Sequence, residues 1–373
     1  MNKEKIKHII KNASAIIVIL SMLVIIYYLN RDLDIFNGTD ESEGVVTETQ
    51  EGSSGFFVGD AARLDDEVVH VSTTSMRIFD EDGEGEKISI ALSEPVLFTE
   101  GDYAVCYNKN STDVTVYKRI KECYSIKTKN KIIRAKVNDN GYLFLATEKE
   151  GYNCECMVYN KSGEPVFKWD VSKSQFLDGD INSQNNAIAI SLATAGNQKL
   201  LGEILILDIT EAEKIERHSK DSEVYFSIDY NMNNTLTAVG SSSLEYYNSD
   251  GSKKWSYSYK DKTLLKADIT NPDMMVLAFE QSGSGVKGNS TKVVTINRLG
   301  REIGEKTFDY IADDISVSKS SVAIAFGKEI YIADRELDIG KRMLSESGVK
   351  KIVLFDDEDY VFVISGSGGK IIK

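Results

Sequence analysis

The sequence predicts an all-β chain: an eight-bladed β-propeller preceded by one N-terminal transmembrane helix. Three observations carry that prediction. A β-rich run ending in Asn or Asp, commonly with Gly three residues on, recurs through residues 56–373 at a mean spacing of about 42 residues. No helical periodicity appears after residue 30. One uncharged apolar stretch, Asn12 to Asn30, lies near the N-terminus.

That stretch predicts a membrane span over residues 13–30. Nineteen uncharged residues rise about 28 Å as a helix, close to the ~30 Å of a hydrocarbon core. Tyr27 and Tyr28 fall where an interfacial aromatic belt belongs. Lys3, Lys5, Lys7 and Lys11 precede it, so the positive-inside rule places a tail of residues 1–12 in the cytoplasm and the remainder outside the cytoplasmic membrane. A cleaved signal peptide is the competing reading. The exit Tyr-Tyr-Leu-Asn-Arg lacks a small-x-small cleavage pattern, which favours an uncleaved signal anchor. A tail of a dozen residues is too short for a kinase or cyclase domain.

Residues 31–55 hold seven acids and one base and end Glu-Gly-Ser-Ser-Gly. Few large apolar residues are present, so this segment reads as a disordered acidic tether. Of the formal charge of −14, the tail carries +3 and the tether −6, leaving −11 on the folded part, residues 56–373.

The recurring element reads Met76-Arg-Ile-Phe-Asp-Glu-Asp-Gly83, Cys156-Met-Val-Tyr-Asn-Lys-Ser-Gly163, Leu244-Glu-Tyr-Tyr-Asn-Ser-Asp-Gly251 and Val293-Val-Thr-Ile-Asn-Arg-Leu-Gly300. Its physics is a strand followed by a tight turn. Asn and Asp start turns by local side-chain hydrogen bonds, and Gly accepts positive φ. Weaker copies end at Tyr117, Leu207, Ile332 and Ile372, which makes eight third strands. Two strands precede each copy: an inner one such as Ile133–Val137, and an apolar one such as Met275–Phe279 whose two faces both pack. A polar outer strand follows, as in Pro165–Trp169 and Lys253–Tyr257. Seven blades is the alternative, because the first repeat is the most diverged. The eighth blade ends without an outer strand, and Phe56-Phe-Val58 is the expected strand that closes the ring.

The acidic balance excludes nucleic acid as a partner. No catalytic, cofactor-binding or metal-binding residues are assigned. His70 falls in a second strand and His218 in an outer one, without a nucleophile beside either. Acidic clusters such as Asp80–Glu84 fall in predicted turns and lack the oxygen spacing of a calcium loop. Cys106, Cys123, Cys154 and Cys156 read as free thiols or as one disulfide. Three connections between second and third strands are expected to be long: 148–155, 193–202 and 281–291. Long loops on a rigid scaffold are where binding concentrates, which makes Tyr152, Asn197, Gln198, Lys287 and Asn289 the candidate partner contacts.

Residues 139–169 and 232–257, with their Asn-Gly and Asp-Gly turns and Trp169 and Trp255, resemble the repeat of quinoprotein-like (PQQ-like, WD40-like) propellers. The layout of basic tail, span, acidic tether and propeller resembles an uncharacterised membrane-anchored propeller family of Gram-positive bacteria. The quinoprotein cofactor floor, calcium site and adjacent cysteine pair are not matched here, so the resemblance implies the fold and no cofactor. The function expected is a non-enzymatic binding module or scaffold for a protein or cell-envelope partner. A glycan-active enzyme or lyase using channel carboxylates, and a ligand-sensing subunit of a membrane complex, are the alternatives.

Overall fold

Eight antiparallel sheets follow one another along the chain, at 60–89, 95–127, 132–171, 175–221, 225–258, 263–308, 314–344 and 349–372. The structure is a computed structural model that describes residues 59–373, other than 82, 84, 196–198, 212–214, 283–288, 357–359 and 367. The tail, the span at 13–30, the tether and the expected closing strand at 56–58 lie outside the described residues. Among those that are described, no helix is long and apolar enough to cross a membrane.

Among the described residues, seven sheets have four strands in sequential order, and the eighth has three, Val349–Leu354, Val361–Ser365 and Gly368–Ile372. All eight third strands fall where the repeat places them, and the diverged first repeat forms blade 1, so the ring has eight blades rather than seven.

The core is divided among the blades. Eight clusters of buried apolar side chains occur among the described residues, and each straddles two neighbouring blades. A middle strand therefore packs on both faces, as in Ser321–Phe326, where every residue is buried. The last cluster joins Ala61, Val68 and Phe79 of blade 1 to Val353, Phe355 and Phe362 of blade 8, which closes the ring.

Turn chemistry is local and repeated. Asn138 Oδ1 accepts from the amides of Asn140 and Tyr142. Asn160 does the same with Ser162 and Glu164, and Asn297 with Leu299 and Arg301. These Asx turns join strands one to two and three to four, so they gather on one end of the propeller, the turn face. The connections between strands two and three, and between blades, form the opposite face.

Candidate functional site

Side chains two apart on an inner strand point the same way. At matching positions of the inner strands, the chain presents Asp60, Val96, Arg134, Asp178, Ser227, Lys266, Asp314 and Lys351 in blades 1 to 8. Two residues on it presents Ala62, Phe98, Lys136, Asp180, Asp229, Asp268, Ser316 and Val353. These are two tiers of side chains around the propeller axis.

In the first tier, a cation of one blade meets an acid of the next three times: Arg134–Asp178 at 2.9 Å, Lys266–Asp314 at 3.9 Å, and Lys351–Asp60. The same acids also latch onto backbone one blade further round. Asp60 accepts from the Leu97 amide, Asp178 from Ile228 and Asp314 from Ile352. The second tier repeats the latch, with Asp180 accepting from Tyr230, Asp268 from Val317 and Ser316 from Leu354.

Lys136 is the centre of the charged cluster. Its ammonium donates to the Ile228 carbonyl at 2.5 Å and lies 3.2 Å from Asp178 and 3.6 Å from Asp229. Burial opposes its charge, but the carboxylates of Asp178, Asp180 and Asp229 outweigh that and raise its pKa. Around it the acids are pushed the other way. Burial lifts Asp180 to about 8, against the pull of Lys136 and with the push of Asp229. Burial likewise lifts Asp229 to about 6 and raises Glu100 well above the carboxylate range, where Asp229 and Asp180 add to the effect. The axis is thus a polar plug in which most acids already serve as acceptors between blades. No group of three or more His, Cys, Asp or Glu positioned to hold a metal occurs among the described residues.

On the turn face, an open groove of about 760 Å³ runs between blades 6 and 7 and reaches Arg63 of blade 1. Asn271, Asp273, Arg298, Lys319 and Arg335 line it. Arg298 is paired with Asp273, and Asp356 is shared by Arg63 at 2.6 Å and Lys319 at 2.7 Å.

Of the sequence-derived contact residues, Tyr152 and Asn289 belong to the opposite face, in blades 3 and 6, and are not gathered into one site. The connection at 148–155 is a tight hairpin rather than a loop. Leu143–Lys149 and Tyr152–Tyr159 leave only Glu150 and Gly151 between them, because Lys149 pairs with Tyr152. Tyr152 is exposed, with the Lys149 ammonium 4.8 Å over its ring. The second long connection also shrinks, since strands run to Ala195 and resume at Leu200. Asn289 is exposed and donates to Glu280 at 2.6 Å. Asn197, Gln198 and Lys287 lie outside the described residues. All four cysteines are free, and only Cys123 is exposed.

Sequence reasoning passed over Lys136, Asp180, Asp229 and Glu100. A signal was present: Arg134-Ala-Lys136, Asp178-Gly-Asp180 and Lys266-Ala-Asp268 place charges two apart within inner strands.

Fold and axis together define an eight-bladed β-propeller. The chain belongs to the family of unknown function DUF5711, whose model matches residues 40–373. Curated protein sequences yield no match. Similar solved structures include BamB from Moraxella catarrhalis, at 13% identity and a TM-score of 0.52, covering 88% of this chain and 99% of that one. The C-terminal WD40 domain of Sif2 is 12% identical with a TM-score of 0.59, covering 85% and 96%. Apo AztD from Citrobacter koseri is 8% identical with a TM-score of 0.53, covering 79% and 88%. At such identities the likeness is one of fold.

Proposed function

We propose that this protein is a single-pass membrane protein, its propeller held outside the cytoplasmic membrane, and that it acts as a non-enzymatic binding module or scaffold for a protein or cell-envelope partner. The groove on the turn face is the observation that carries this reading. It is open, rigidly framed by Asx turns, and lined by guanidinium and carboxylate groups that can exchange their internal partners for external ones. The apolar run at 13–30 and the basic residues before it support the location. The test is photo-crosslinking in intact cells from position 299, beside the groove, and from position 289 on the other face. A partner captured from 299 and lost in Arg335→Glu supports the groove. Capture from 289 alone moves binding to the opposite face, and capture from neither rejects the scaffold reading.

A second reading, a glycan-active enzyme or lyase, is favoured by Asp180 and Glu100, two acids at the axis whose pKa burial raises. Both are deeply placed, and Asp180 accepts two backbone hydrogen bonds, from Ile181 and Tyr230. Turnover of an envelope glycan by the intact protein, abolished in Glu100→Gln, would establish it.

A further inference from the structure

On the face opposite the groove, inner strands break register at one position, the residue just before the first tier. Pairing with the second strand skips Ile133, Leu177, Phe226 and Leu265 in blades 3 to 6, and Lys350 in blade 8. Each skip is a β-bulge, which leaves a residue out of the ladder and re-aims its side chain. In four consecutive blades that residue is large and apolar. Ile133 and Phe226 are 39% and 45% exposed, and Leu177 and Leu265 are half-buried. None of the four belongs to the apolar clusters between the blades. One position on, Arg134 pairs with Asp178, and Asp178 accepts from the Ile228 amide, so neighbouring bulges stand side by side at the mouth of the axis. We propose that this apolar arc, with the lysines that precede it, is a second docking surface and takes an extended acidic amphipathic segment of a partner protein.

The bulge itself does not require an apolar residue. Blade 8 makes the same bulge with an exposed lysine, Lys350. Four apolar side chains at that position in a row, outside the core, therefore serve something other than the fold. Charge identifies the occupant. The connections that enter blades 3 and 4, Thr128-Lys-Asn-Lys131 and Ser172-Lys-Ser174, contain three lysines and no acid. Lys129, Lys131 and Lys173 are exposed and form no ion pair among the described residues. The connection into blade 6 adds Lys260 and Lys262 around Asp261, and Glu223, at the entry to blade 5, is already held by Lys220. A basic border on a folded part that carries −11 selects an anionic partner and repels a second copy of this chain.

The surroundings of the arc favour a narrow chain over a flat bilayer. In blades 3 and 4 the hairpins between the second and third strands run on past the start of the inner strand. Lys149 pairs with Tyr152 beyond the level of Ile132, and Ala195 with Leu200 beyond the level of Gln175. These hairpins form a rim, with Tyr152 and Leu200 exposed on it, and the arc is recessed inside. Alternate apolar side chains of an extended segment would meet the bulged residues, and its carboxylates the lysines. This surface lies on the other side of the propeller from the groove and does not depend on it.

The test is fluorescence anisotropy of a labelled peptide of alternating Leu and Glu, titrated with the full-length protein. Saturable binding is expected, and the counterpart with Lys in place of Glu should bind about tenfold more weakly or worse. Ile133→Ser with Phe226→Ser should weaken the acidic peptide by about tenfold or more. Lys131→Glu with Lys173→Glu should weaken it comparably and reduce its dependence on salt. If the serine variant fails to fold, Phe226→Trp supplies the readout, through a blue shift of its emission when the acidic peptide is added. Equal affinity for the two peptides, or affinity unchanged in the serine and glutamate variants, overturns the proposal. So does displacement of the peptide by phosphatidylglycerol vesicles, which would make the arc a lipid site, or dimerisation that Phe226→Ser abolishes. Peptide binding lost in Arg335→Glu and kept in Phe226→Ser would assign the peptide to the groove instead.

Discussion

The Lys136 ammonium reaches past blade 4 and donates to the backbone carbonyl of Ile228 in blade 5, 92 positions along the chain. One side chain thereby ties three consecutive blades at the axis, where their inner strands converge. Replacing it with methionine keeps the volume and removes the charge. Asp229 would then be buried without its cation and Asp178 would keep only Arg134, at a cost of about 3–5 kcal/mol. Urea unfolding of Lys136→Met should show that loss, and a change under 1 kcal/mol would mean the cluster relaxes freely.

Asp180 links the axis to pH. Its folded pKa of about 8 lies well above the ~3.9 of an unfolded aspartate, so the folded chain holds the extra proton between those values. Its contribution to stability therefore declines as pH rises from about 4 to 8 and levels off above. Asp229, at about 6, acts in the same direction over a narrower window. Asp180→Asn should flatten the fall in unfolding free energy between pH 5 and pH 8. An unaltered slope would exclude Asp180 as its source.

Glu223 has the opposite sign. Its buried carboxylate accepts from the hydroxyls of Ser241, Ser242 and Ser243, from the Ser242 amide and from Lys220, all at 2.7–3.0 Å. Burial alone would raise its pKa, but these donors hold it down at about 2. The stabilisation is fully present above the unfolded value near 4.3 and is lost as pH falls through 2. Glu223→Ala removes the shared acceptor of this serine cluster at the junction of blades 4 and 5. Loss of about 3 kcal/mol or more at pH 7, shrinking toward pH 2, is the expected result in thermal melts.

Gly300 closes an Asx turn at φ +74°, and a Cβ there would sit 2.7 Å from the Trp255 ring. That ring stacks on Tyr246 and donates to the Arg298 carbonyl, joining blades 5 and 6. Gly300→Ala should destabilise by roughly 1–3 kcal/mol and red-shift the emission of Trp255 in a Trp169→Phe background. Normal emission and stability would show that the turn tolerates the methyl group.

Thiol chemistry distinguishes the four cysteines. Burial pushes Cys106 up to about 12, and Cys156 is raised by its neighbour Cys154 and by burial. One rapid thiol per chain, Cys123, should react with a disulfide reagent at pH 8, and four after denaturation. Two thiols fewer in the denatured chain would reveal a bridge.

Blade number, strand roles and turn positions were legible in the residues themselves. Alternation of side chains, Asn side chains capping their own turns and glycines at positive φ are decided within four to eight neighbouring residues. The hairpin at 148–155 escaped that reading because cross-strand pairing of Lys149 with Tyr152 outweighs a polar composition. What tertiary structure alone decided is everything that joins distant stretches: the tiers at the axis, the reach of Lys136, the serines around Glu223 and the groove between blades 6 and 7. Those depend on which blade stands next to which and at what height. Closing the ring sets both, since burial of apolar faces between all eight blades leaves each inner strand one position to occupy.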